Sequence, residues 1–238
     1  MVCRSVPLIT RAVVAEFVGT AMLLVAVVGS GIMAQRLCSG NIGLALLANA
    51  VATGGALIAL ILAFGPVSGA HLNPAVTLCD AWRGGLAWRD VPAYIAAQVI
   101  GAILGTGLAD WMFGLPPFFA SHHVRSGAQM VVSETVATFG LLVVIWGCAK
   151  TRPTAAPYAV ATYIVGAYWF TPSTSFANPA VTIARSLTDT FAGIRPVDAA
   201  PFIAAQLMGA AVATALFAWF GRDVLAAANV VVPHPKQT

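Results

Sequence analysis

One short phrase occurs twice in this chain, and it limits the possible folds more than anything else in the sequence. "AHLNPAVTLCDAW" spans residues 70–82, and "SFANPAVTIARSL" spans residues 175–187. Asparagine is among the best helix N-caps, because its side-chain oxygen accepts from the free amides of the first turn. Proline suits the next position, where its missing N–H costs nothing. Asn73-Pro74 and Asn178-Pro179 therefore each start a helix. The helices they start, over roughly 73–83 and 178–188, are short. At about 1.5 Å per residue each reaches about 16 Å, half of a bilayer's hydrocarbon thickness. Two such half-helices meeting end to end would make one span. The loops before them, "GPVSGAH" and "TPSTSFA", would then sit at membrane depth, which irregular backbone tolerates only when buried in protein or lining water.

The rest of the chain suits a bilayer. Of its 238 residues 59% are hydrophobic and 8% charged, with a mean hydropathy of +0.87. Soluble domains carry about 25% charged residues, so a water-facing surface cannot be built from this composition. Six apolar stretches long enough to cross are expected, at roughly 11–34, 43–65, 92–113, 128–149, 156–173 and 198–221. The stretch before the first is too polar for a cleavable signal, so that span is read as retained. The net charge of +4 comes from Lys and Arg residues scattered singly, which form no basic patch for nucleic acid. They act better as topology signals. With the N-terminus inside, Arg4, Arg11, Arg83, Arg89, Lys150, Arg152, Arg222 and Lys236 are cytoplasmic, against Arg36, Arg125, Arg185 and Arg195 outside. That bias predicts both termini in the cytoplasm of a multi-pass inner-membrane protein. The four cysteines, Cys3, Cys38, Cys79 and Cys148, form no metal-binding pattern and read as structural thiols.

The duplication extends beyond the opening phrase. "AEFVGT" (15–20) matches "SETVAT" (133–138), and "YIAAQVIGA" (94–102) matches "FIAAQLMGA" (202–210). Each half reads span, span, half-helix, span. Three full spans is an odd number, so the second half must lie inverted relative to the first. The expectation is one all-α channel domain over 1–238, with inverted repeats at about 11–113 and 128–221. Such repeats place their functional site near the bilayer midplane, at broken helices. If the half-helices enter from opposite faces, their positive N-terminal ends meet at the centre, beside Asn amides that can still donate. That centre would hydrogen-bond neutral polar solutes while repelling cations and protons.

Over essentially its whole length the chain resembles the aquaporin, or major intrinsic protein, family. The resemblance rests on "SGAHLNPAVTL" (68–78), "AEFVGT" (15–20) and the second Asn-Pro-Ala (178–180). It implies an aquaporin-like fold of six transmembrane helices and two re-entrant half-helices, a pore in each protomer, and a homotetramer in the lipid bilayer. It also implies pore motifs at Asn73, Pro74, Ala75, Asn178, Pro179 and Ala180, with no cofactor and no bound metal. Glu16 and Glu134 are ionisable residues in apolar spans and so are functional candidates. The family pattern gives them loop-bracing roles, and their symmetric placement favours this over a proton relay. His71 is read as loop-bracing or pore-lining.

The second copy departs from the family at one position. An arginine usually follows the second Asn-Pro-Ala there and forms one wall of the narrowest constriction; this chain has Val181. Ungapped spacing puts the other three constriction positions at Thr53, Gly166 and Ser175. The filter expected from these four is wide, moderately apolar and uncharged. It suits glycerol, urea or undissociated hydroxylated metalloids such as arsenite, together with water. The channels of bacterial arsenic-resistance operons show a similar loss of this arginine. Arg185, one turn beyond Val181, is a candidate for the outer vestibule, or else an interfacial residue bonding loop carbonyls. The alternatives to a passive channel for neutral solutes are a water-selective pore, a proton-coupled transporter using Glu16, Glu134 or Asp110, and a poorly conducting membrane scaffold. No Ser-His pair, metal-ligand cluster or phosphate loop points to an enzyme.

Overall fold

A computed structural model describes residues 8–221; Cys3, Arg4, Arg222 and Lys236 lie outside the described residues. Eight α-helices account for most of it: α1 (Leu8–Leu37), α2 (Ile42–Ser68), α3 (Pro74–Trp82), α4 (Val91–Met112), α5 (Ala128–Thr151), α6 (Ala156–Phe170), α7 (Pro179–Arg185) and α8 (Pro196–Trp219). Among the described residues, α1, α2, α4, α5 and α8 are long and apolar enough to cross a membrane. The sixth expected span, at 156–173, is the shorter α6. It stops at Phe170 because Thr171 precedes Pro172, a position that disfavours helical backbone. Thr171 is extended, at φ −119° and ψ 132°. The half-helices are also slightly shorter than expected, at nine and seven residues.

Packing follows the repeat. α1 packs on α2 and α4, α5 packs on α6 and α8, and α2 joins the halves by packing on α6. Each half-helix lies between the long helices that end the two halves: α3 touches α4 and α8, and so does α7. The inverted, all-helical aquaporin-like arrangement brings α3 and α7 into contact with each other between the long helices α4 and α8.

The repeated phrases at 94–102 and 202–210 explain how the long helices come so close. A Cβ on Gly101 of α4 would overlap the Phe17 carbonyl oxygen of α1, and one on Gly209 of α8 would overlap the Thr135 carbonyl oxygen of α5. Small residues at helix crossings let backbones approach where no hydrophobic effect drives helices together. Gly101→Val should therefore destabilise the folded protein by about 1–3 kcal/mol, read as a lower unfolding temperature in detergent. Gly55→Ala in α2, where an added Cβ meets nothing within 4 Å, should leave that temperature unchanged or higher.

Candidate functional site

The two loops before the half-helices are irregular backbone in the middle of the bundle, and each is held by one buried carboxylate. Glu16 of α1 is fully buried. It accepts from the backbone amides of His71 (2.9 Å) and Leu72 (2.7 Å), from Ser68 Oγ (2.6 Å) and from Gln98 Nε2 (2.7 Å). Glu134 of α5, equally buried, accepts from the amides of Phe176 and Ala177, each at 2.9 Å, and from Gln206 Nε2 at 2.6 Å. Every contact is a donor to the carboxylate. The same glutamines tie each loop to its half-helix. Gln98 donates to Thr77 Oγ1 at 2.9 Å and Gln206 to Thr182 Oγ1 at 2.8 Å, and those hydroxyls donate to Asn73 O and Asn178 O. Gln98 and Gln206 stand at equivalent positions of a phrase the sequence repeats, and Thr77 and Thr182 belong to the opening motif. Sequence reasoning did not assign them roles, although the duplication marks them.

The loops take alternating left-handed conformations: Ala70 and Leu72 have φ of 46° and 49°, and Ser175 and Ala177 have φ of 50° and 48°. For residues other than glycine each such conformation costs about 1–2 kcal/mol. The carboxylates hold this geometry by gathering the loop N–H groups on one side. Among the described residues, the carbonyls of Gly69, Ala70, His71, Ser175 and Phe176 accept no bond from the protein.

The two asparagines cap as expected. Asn73 Oδ1 accepts from the Ala75 amide at 2.9 Å. Asn178 Oδ1 accepts from Ala180 at 3.0 Å and Val181 at 3.3 Å. They also bond crosswise: Asn73 Nδ2 donates to Ala177 O at 2.8 Å, and Asn178 Nδ2 donates to Leu72 O at 2.7 Å. One of the two N–H groups on each amide is thus spent on the opposite loop. The remaining one is free to meet a solute.

A cavity of about 600 Å³ runs past both asparagines. Its wall includes Leu57 and Ile61 of α2 and Leu23 and Val27 of α1, facing the loop residues. Thr53, Ser175 and Val181 line it. Gly166 does not. The α6 wall is Val160, Ile164 and Tyr168, spaced by four. Gly166 lies two positions from either Ile164 or Tyr168, about 200° round the helix, and a Cβ there would meet only Phe170. Ungapped counting back from Asn178 therefore selects the wrong face of α6. Tyr168 is the wall residue, buried, with its hydroxyl 3.3 Å from Thr53 Oγ1. Ser175 Oγ is buried without a protein partner among the described residues. The wall here is uncharged and carries the Thr53, Tyr168 and Ser175 hydroxyls.

His71 lines the cavity and braces its loop: its amide bonds Glu16, its ring nitrogens face Thr77 Oγ1 (3.2 Å) and Asp80 Oδ2 (3.5 Å), and its ring packs on Tyr94. Arg185 is not on the cavity wall. It is 2% exposed, its guanidinium lies over the Phe176 ring, and Nε donates to the loop carbonyl of Ala192. Nor do Glu16, Glu134 or Asp110 reach the cavity; Asp110 accepts from Thr188 Oγ1 instead. Glu134→Gln would turn an amide N–H₂ towards one of three donors. It should destabilise the protein by about 1–3 kcal/mol, read as thermal unfolding in detergent. Flux of every solute should fall together, whereas loss of a proton relay would leave passive fluxes intact.

Comparison with known proteins agrees with this fold. The family profile described as Major intrinsic protein matches residues 3–173. The chain is 53% identical over 211 residues to aquaglyceroporin AqpS of Rhizobium meliloti, covering 89% of this chain and 90% of that one. It is 39% identical over 147 residues to aquaporin NIP1-1 of Zea mays, covering 61% of this chain and 51% of the plant protein. Among solved structures, the aquaglyceroporin from Plasmodium falciparum superposes with a TM-score of 0.70 at 21% identity, over 92% of this chain and 100% of the other.

Proposed function

Because the chain belongs to the major intrinsic protein family and is an integral membrane channel for small solutes, we propose that it passes small neutral hydroxylated molecules. Glycerol, urea and undissociated metalloid hydroxides such as arsenite are the class meant, with water alongside. The observation that carries this reading is the uncharged wall of Thr53, Tyr168, Ser175 and Val181. The relative named an aquaglyceroporin, which the chain matches along nearly its whole length, supports it.

The mechanism follows from the wall. A polyol presents hydroxyls on one side and C–H groups on the other. Its hydroxyls exchange water for the Tyr168 and Ser175 hydroxyls, the unpaired carbonyls of the two loops and the free N–H of each asparagine. Its carbon face slides along Leu57, Ile61 and Val181. Flux is fast only if the bonds are sufficient to replace hydration and too few to trap the solute. At the midpoint the N-termini of α3 and α7 oppose a positive charge, and each asparagine amide donates to a passing oxygen without accepting a proton from it.

The charge bias of the loops supports cytoplasmic termini, which puts His71 and Asp80 at the cytoplasmic mouth and Ser175 and Val181 towards the outside. The apolar outer face of α2, including Ile42, Leu44, Leu47 and Val51, suits lipid or the neighbouring copy of a homotetramer.

Val181→Arg tests the filter. An added guanidinium in this wall should reduce glycerol and arsenite flux by about tenfold or more, the effect of about 1.4 kcal/mol on the barrier. Water flux should fall less. Equal loss of all fluxes in stopped-flow light scattering of proteoliposomes would refute the assignment of Val181 to the constriction.

A further inference from the structure

The position that lacks an arginine in the lumen has two arginines behind its wall. Arg185, at the end of α7, lies with Cζ 3.4 Å from the centroid of the Phe176 ring. Arg125, from the loop joining α4 to α5, lies 5.0 Å from the same centroid. Phe176 is itself a wall residue of the cavity, next to Ser175. Neither guanidinium lines the cavity.

Neither is neutralised by a carboxylate partner among the described residues. Arg125 donates from Nε to Gly193 O at 2.8 Å and from Nη1 to Ser173 O at 3.1 Å, with Thr174 Oγ1 at 3.5 Å. Arg185 donates to Ala192 O. All are neutral acceptors. The carboxylates nearby are engaged elsewhere. Asp198 takes both the Arg195 guanidinium and the Arg125 backbone amide. Glu134 is occupied by two loop amides and Gln206. Two cations against one carboxylate, with the Asp198–Arg195 pair cancelling, leaves the shell around Phe176 net positive.

Placing two like charges in this shell is costly unless something uses them. They also fix the loops: Arg125 joins the α4–α5 loop to residues on both sides of the α7 half-helix. Fixing loops alone would need hydrogen-bond donors but not net charge. We propose that Arg125 and Arg185 add a second barrier to protons and cations, distinct from the one at the half-helix N-termini, acting electrostatically through the wall at Phe176 rather than from within the lumen. This rests on the reading of the chain as a neutral-solute channel. The consequence is a constriction in which charge selectivity and width are set by different residues. Val181 leaves the lumen unobstructed by an arginine side chain, and the buried Arg185 with the half-buried Arg125 keeps its field positive.

The test compares proton and glycerol permeability in the same proteoliposomes. Proton entry is driven by a potassium diffusion potential and read by an internal pH dye; glycerol entry is read by light scattering. A unit charge about 10 Å from an ion's path, at an effective permittivity of about 20, changes its passage by roughly tenfold. Arg125→Met and Arg185→Met should each raise the proton-to-glycerol ratio by about that factor, and Arg125→Lys and Arg185→Lys should hold it near the wild-type value. An unchanged ratio in the Met variants overturns the inference. So does a Lys variant as leaky as its Met counterpart, because that marks a role in shape and not in charge. If Arg185→Met fails to fold, the Arg125 pair decides alone. Wild-type glycerol flux no greater than that of empty liposomes defeats the channel reading itself, and this inference with it; normal glycerol flux with an unmoved ratio defeats only the inference.

Discussion

The structure depends on two carboxylates gathering the amides of two loops that have no right to exist at membrane depth. Hydrocarbon supplies no water to satisfy irregular backbone, so such a loop needs an internal acceptor for each N–H it exposes. Glu16 and Glu134 provide that acceptor, each from the start of a long helix, and each takes donors from a loop and from a glutamine on the third span of its half. The left-handed residues at 70, 72, 175 and 177 are stable only because of it. With the N–H groups drawn to one side, unpaired carbonyls are left among the residues that line the cavity. A single interaction thus fixes the loop shape, seats the half-helix and leaves the polar track that a hydrated solute needs.

The asparagines complete the constraint by linking the halves. Each caps its own half-helix and donates to the opposite loop. Neither half can shift along the axis without breaking bonds made by the other. This is why the inverted halves meet as one rigid centre, although the direct contact between α3 and α7 is small.

Much of this was legible in the sequence because it is written twice. The duplicated Asn-Pro-Ala marks both half-helices, and "AEFVGT" with "SETVAT" marks both carboxylates. Gln98 and Gln206 were visible in the repeat, but an uncharged residue in an apolar span does not by itself signal chemistry. The cavity wall was legible only in part. Ser175 and Val181 sit beside a motif and inherit its register, and Thr53 falls on the wall as counted. Gly166 had to be counted across the loop of residues 171–177, where a shift of two residues rotates the choice to the far side of α6. Tyr168 is identified by a four-residue wall periodicity that only the packed helix reveals. Arg125 was beyond reach for another reason: it is far in sequence from everything it touches, and loop docking leaves no periodic trace.

The misplaced glycine matters for how selectivity is to be understood. With Gly166 on the wall, the loss of arginine at 181 would make a wide opening. With Tyr168 there instead, hydrogen-bonded to Thr53, the wall keeps a rigid phenol and a row of hydroxyls. On the proposed reading, size discrimination then comes from one aromatic ring and the Thr53, Tyr168 and Ser175 hydroxyls, none of which carries charge. An arginine in the lumen does two things at once: it occupies volume and it repels cations. A chain that places valine in the lumen and keeps its guanidiniums behind an aromatic wall separates the two. The volume term scales with contact and ends at the van der Waals surface, whereas the Coulomb term falls only as the inverse of distance. Moving a charge back by the thickness of a ring therefore removes all of its steric effect and only part of its field. A pore for bulky neutral solutes needs that separation, since any residue that repels ions from inside the lumen also obstructs the solute.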